Sequence, residues 1–115
     1  MALTVNVEEK NGVQVLRCAG YIDSETSGGL KSALEDCAAK KQHKIIVDLE
    51  NVDYVSSAGW GLFVGYLHDV RRNKGDIKFS CMKKEVLEIY ELLDFTNIFQ
   101  YYSSVETAMQ AFSGR

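Results

Sequence analysis

Apolar positions along the chain switch between two periods, and the switches mark its elements. Leu3, Val5 and Val7 alternate with polar residues from Leu3 to Glu8, and Val13 to Ala19 is a second strand-like run after the turn signal Asn11-Gly12, so these two predict a hairpin. Gly20 is expected to end the second strand. Asp23 or Ser24 can cap a helix in which Leu30, Ala33, Leu34, Cys37 and Ala38 form one apolar stripe, with Lys40, Lys41 and His43 at its C-terminal end, where positive charge complements the helix dipole. Ile45, Ile46 and Val47 follow without a polar break, which suits a strand covered on both faces. After Gly75, Ile77, Phe79 and Cys81 alternate with Lys78 and Ser80 as a further strand. Val86, Ile89, Tyr90 and Leu93 return to helical spacing, Phe99 to Tyr102 reads as a short edge strand, and Ser103 with Glu106 has capping-box spacing before Val105, Ala108, Met109 and Phe112.

The stretch from Lys44 to Arg72 organises the rest: a buried strand, the serine pair Ser56-Ser57, and a helix that starts there. A hydroxyl at a helix N-cap accepts a hydrogen bond from an otherwise unpaired N–H, so one serine can cap while the other stays free. At 100° per residue, Gly59, Trp60, Phe63, Tyr66, Leu67 and Val70 share the core side of that helix. The opposite side carries Ala58, Gly61, Gly65, His68 and Arg72, with Leu62 and Asp69 at its edge. Each interior glycine costs a helix roughly 1 kcal/mol relative to alanine. Gly61 and Gly65 therefore trade stability for a flat surface, open either to an outside partner or to another element of the same chain.

Strands alternating with helices after an opening hairpin predict an α/β fold, a mixed β-sheet covered by helices. With 115 residues and 46% hydrophobic content the chain is expected to form one domain, residues 1–115. A net charge of −3 from 13 basic and 16 acidic residues supplies no basic field for nucleic acid. Cys18, Cys37 and Cys81 are widely spaced among apolar neighbours and read as small core residues of a reducing compartment. The N-terminal residues lack a signal-peptide pattern and no run of 18 apolar residues occurs, so a cytoplasmic protein without membrane contact is expected.

Catalytic chemistry finds little support. A nucleophile elbow needs glycine two residues before the serine, where Ser56 has Tyr54 and Ser57 has Val55. His43 and His68 are the two histidines, and neither spacing nor pattern ties them to the serines. The series Gly59, Gly61, Gly65 misses the dinucleotide fingerprint, which requires glycine at Val64, and it lies inside a helix. No phosphate-cradling GxxxxGK segment or metal-ligand spacing occurs, so no cofactor and no enzyme activity are expected. The serine pair differs. Phosphate on Ser57 would add about 1.5 to 2 negative charges at a helix N-terminus, where the dipole and free N–H groups favour an anion. It would change what the adjacent flat face binds without unfolding the helix. Asp23, at a strand-to-helix junction, either caps a helix or belongs to a functional loop.

The segment VDLENVDYVSSAGWGLFVGYL resembles the signature of the STAS domain found in bacterial anti-sigma factor antagonists. Gly20-Tyr21-Ile22-Asp23 resembles the family's G-x-[IL]-D turn, and LLDFTNIFQYYSSVETAMQAF resembles its closing helix, strand and helix. The resemblance spans nearly the whole chain. It implies a domain that, unphosphorylated, binds an anti-sigma factor that is also a serine kinase, frees a sigma factor for transcription, and is released when the kinase phosphorylates it with ATP. A serine phosphatase resets the cycle. By position the acceptor is Ser57, with Ser56, standing where aspartate is common in the family, as the alternative acceptor. The implied partner surface comprises Asp23, Ser56, Ser57, Ala58, Gly61, Leu62 and Gly65. The alternative is a constitutive STAS scaffold, a subunit of a signalling or lipid-transport complex.

Overall fold

The run Ile45-Ile46-Val47 lies in the middle strand of a five-stranded sheet, and all three side chains are buried, as a strand covered on both faces requires. The structure, a computed structural model, describes residues 2–113. Its strands are β1 (Leu3–Lys10), β2 (Val13–Ile22), β3 (Lys44–Val55), β4 (Asp76–Ser80) and β5 (Gln100–Tyr102), and they lie side by side in chain order. The first pair is antiparallel, closed by the Asn11-Gly12 turn, in which both residues have positive φ; the other three pairs are parallel. The parallel crossovers are made by α1 (Ser27–Ala39), α2 (Ser57–Arg72) and α3 (Lys84–Leu92), the last followed by a 3-10 turn at Phe95–Asn97; α4 (Val105–Phe112) closes the chain. The expected α/β fold with a mixed sheet is observed.

Alternation along the strands divides the core. Leu16, Val47 and Phe79 face α1, α2 and α3, where Leu30, Phe63, Trp60 and Tyr90 fill the space. Val13, Val15 and Ile46 face the other way and are covered by Val105 and Ala108 of α4. That second layer explains why Lys78 and Ser80, the polar positions of the alternation, are buried. The Lys78 ammonium is held by the Asp76 carboxylate at 3.3 Å and the Gln100 side-chain amide oxygen, with the Phe112 ring 4.8 Å away. Such pairing is what a buried charge needs. Asp48, also buried, accepts from Arg17 at 3.0 Å and from the Ser80 hydroxyl at 3.4 Å.

Several local expectations are corrected. Gly20 does not end β2; it sits inside it with φ +113°, and a Cβ there would lie 2.1 Å from the Ala2 carbonyl oxygen, so the glycine permits a close crossing of the N-terminal segment. Cys81 lies beyond β4 in a left-handed conformation and is only partly buried, unlike Cys18 and Cys37. On α3 the buried side chains are Val86 and Tyr90, while Ile89 and Leu93 are exposed. The cap of α4 is Ser104, whose Oγ accepts the Thr107 N–H at 3.1 Å; the capping-box spacing of Ser103 and Glu106 is one residue out of register. Among the described residues no helix is long and apolar enough to cross a membrane.

Candidate functional site

The C-terminal ends of β2 and β3 lie side by side and each feeds a helix, so two strand-to-helix junctions share one rim of the sheet. The Ser56 N–H donates to the Ile22 carbonyl at 2.8 Å, which ties the serine pair to the peptide preceding Asp23. Ligand sites of parallel sheets form at this rim, because the loops there are free to diverge while the strands beneath hold them still.

The two serines have separate tasks. Ser56 is extended, with φ −79° and ψ 171°, and its Oγ accepts the Gly59 backbone N–H at 3.2 Å, so it is the N-cap of α2. Ser57 is the first helical residue and is exposed. No acidic side chain occupies the first turn, which leaves the positive end of the helix dipole uncompensated by α2's own residues. Gly59 is needed for the close seat of this turn: a Cβ there would meet Ile22 Cγ2 at 2.7 Å and Val55 Cγ1 at 2.9 Å.

Gly61 and Gly65 are of another kind. A Cβ added at either meets nothing within 4 Å, and Ala58, Gly61, Gly65, His68 and Arg72 are all exposed, with Leu62 half-buried at the edge. Of the two possibilities left open by the sequence, no element among the described residues packs on this face.

Asp23 does not cap α1, and neither does Ser24. The N-cap is Thr26, without a side-chain bond to the helix. Asp23 Oδ1 instead accepts the N–H groups of Glu25 at 3.0 Å and Thr26 at 3.1 Å, while Thr26 Oγ1 donates to the Tyr21 carbonyl at 2.7 Å. Those bonds hold a tight turn beside the serine pair. The structure thus brings Asp23, Ser56 and Ser57 to one rim, continued along α2 by Ala58, Gly61, Leu62 and Gly65. Sequence reasoning missed the tilted aromatic pair Tyr21 and Tyr54, centroids 6.1 Å apart, at the same rim. Their place near the ends of neighbouring strands was the available signal.

Groups suited to nucleophilic or acid–base work lie elsewhere or are quenched. Burial pushes the Cys18 thiol up to about 12, with the Asp48 charge adding to the effect, so it stays protonated and inert. His43 lines a cavity of about 620 Å³ with Arg72 and Asn73, at the opposite end of α2 from the serines. Among the described residues no cluster of three His, Cys, Asp or Glu side chains is placed to hold a metal ion.

Comparison with known proteins identifies the family and the fold. The STAS domain family matches residues 4–108. An anti-sigma-B factor antagonist of Listeria monocytogenes is 25% identical over 101 residues, which are 87% of this chain and 89% of that protein. In structure, an anti-sigma factor antagonist from Mycobacterium paratuberculosis superposes with a TM-score of 0.86 at 22% identity, covering 95% of this chain and 92% of the other. The anti-sigma factor antagonist SpoIIAA in its unphosphorylated form gives 0.77 at 16% identity, covering 97% and 100%.

Proposed function

The chain belongs to the STAS domain family, and from that premise we propose that it is an anti-sigma factor antagonist whose binding is switched by phosphorylation of Ser57. It acts as a regulatory binding protein and not as an enzyme. The unmodified domain binds an anti-sigma factor that is also a serine kinase, through Asp23, Ser56, Ser57, Ala58, Gly61, Leu62 and Gly65, and thereby frees a sigma factor in the cytoplasm. A serine phosphatase acting on the phosphorylated form restores binding.

The observation that carries this reading is the division between the two serines. Ser56 is occupied as the N-cap at 3.2 Å from the Gly59 nitrogen, while Ser57 is exposed at the same turn. A phosphate on Ser57 faces the dipole and the unpaired N–H groups of α2, so the domain tolerates it. A partner packed against the bare glycine face must strip water from that dianion, and such desolvation costs several kcal/mol unless new pairing replaces it. Modification therefore breaks a complex without breaking the fold.

The test is a binding titration of unmodified and Ser57→Asp protein against the anti-sigma factors with kinase sequences encoded in the same cell. Binding by the unmodified domain and at least tenfold weaker binding by Ser57→Asp is the expected result. Equal binding by both, with no phosphate on protein isolated from cells, favours the constitutive scaffold.

A further inference from the structure

A groove of about 330 Å³ opens between the end of β3 and α3. Tyr54, Val55 and Trp60 line it from β3 and the first turn of α2, and Val86 and Ile89 from α3. Val55 and Trp60 flank the serine pair in sequence, so the groove and the glycine face of α2 meet at the same helix N-terminus. Tyr54 is 50% exposed and Ile89 43%, and Leu92, one turn further along α3, is 78% exposed. Glu85, Glu88, Ile89 and Leu92 are spaced i, i+3, i+4, i+7 and share one side of α3. That side is therefore an apolar strip with an acidic edge, extended across the groove by Asp53. Asp53 already pairs with Lys83, whereas Glu85 and Glu88 make no ion pair among the described residues.

The charge pattern selects the occupant. A second copy packed strip against strip, with this edge near the two-fold axis, would bring Glu85 and Glu88 close to their own equivalents, and an anionic membrane would be repelled by the same edge. A basic amphipathic helix meets both requirements, with an apolar side chain for the groove and lysine or arginine for the carboxylates. We propose that this groove docks such a helix of the anti-sigma factor, an apolar residue of which inserts between Tyr54 and Ile89. This rests on the antagonist function proposed above. The groove adds affinity and partner choice beside the phosphate-sensitive face, because a buried apolar anchor dominates an interface and the surrounding charges govern encounter.

The test uses the anti-sigma factor bound by the unmodified domain, with three forms of this protein: wild type, Ile89→Ser, and Glu85→Lys combined with Glu88→Lys. All three positions are exposed, and circular dichroism checks that the fold is retained. Ile89→Ser is expected to weaken binding about tenfold. The charge-reversed form is expected to associate about tenfold more slowly and to lose the salt dependence seen with wild type. Wild-type binding with both variants within twofold of it overturns the groove while leaving the antagonist function intact. A concentration-dependent dimer abolished by Ile89→Ser also overturns it, in favour of self-association. No wild-type binding to any such partner removes the antagonist function and the groove with it.

Discussion

Ser56 Oγ accepts the backbone N–H of Gly59 at 3.2 Å, and this one contact decides which of two adjacent serines is structural. Replacing an N-cap serine by alanine typically costs about 0.5 to 2 kcal/mol, whereas an exposed first-turn residue without a bond of its own is nearly neutral. Ser56→Ala is expected to lower stability by about 1 kcal/mol and Ser57→Ala to change it by less than about 0.5 kcal/mol. Urea denaturation of the two variants measures this; the reverse order would assign the cap to Ser57.

Glycines two residues apart on α2 should respond with opposite signs. Gly59→Ala pushes a methyl group to within 2.7 Å of Ile22 and 2.9 Å of Val55, and overpacking of this kind costs about 1 to 3 kcal/mol. Gly61→Ala meets nothing, so helix propensity alone should stabilise the domain by about 0.5 to 1 kcal/mol. Thermal melts of the pair read the difference directly. Gly61 thus gives up stability at an open position, which fits a surface kept flat for binding. Gly61→Leu should accordingly leave a folded domain while weakening partner binding, and an unchanged affinity would remove that face from the interface.

Alkaline pH should weaken the fold through two buried acids. Burial raises the Cys18 thiol from its ordinary 9.0 to about 12 and the Tyr90 phenol from 10.0 to about 12, and the phenol also donates to the Phe99 carbonyl at 3.1 Å. The folded chain keeps protons that the unfolded chain releases, so this stability is fully present below about pH 9 and falls as pH rises towards 12. Denaturation midpoints at pH 8 and pH 11 test it, and Cys18→Ala should show the smaller drop. Equal drops in wild type and variant would place the cause elsewhere.

The sequence displayed most of the architecture because its periods are unambiguous where burial is one-sided. The hairpin turn, the Leu30, Leu34 and Cys37 positions of the α1 stripe and the core side of α2 follow from spacing, whereas Ala38, read into the same stripe, is exposed. Misreadings occurred where long-range neighbours override a local rule. Gly20 resembles a strand terminator, yet it is a crossing point for Ala2, eighteen residues earlier in the chain, which a local pattern does not encode. Alternation marks Lys78 and Ser80 as polar positions but does not show that α4 returns to cover and bury their side of the sheet. Ile89 reads as core because helical spacing cannot tell a buried stripe from an exposed apolar one. The serine pair was visible as a cap with one member spare, and only the backbone geometry of Ser56 distinguishes the members.

Phosphate placement is the most direct test of the central claim. Intact mass and fragment mapping of this protein, after incubation with ATP, magnesium and the candidate serine kinases encoded in the same cell, should locate a single phosphate on Ser57 and none on the Ser57→Ala variant. Phosphate confined to Ser56, or no phosphate with a kinase that binds the domain, would contradict it.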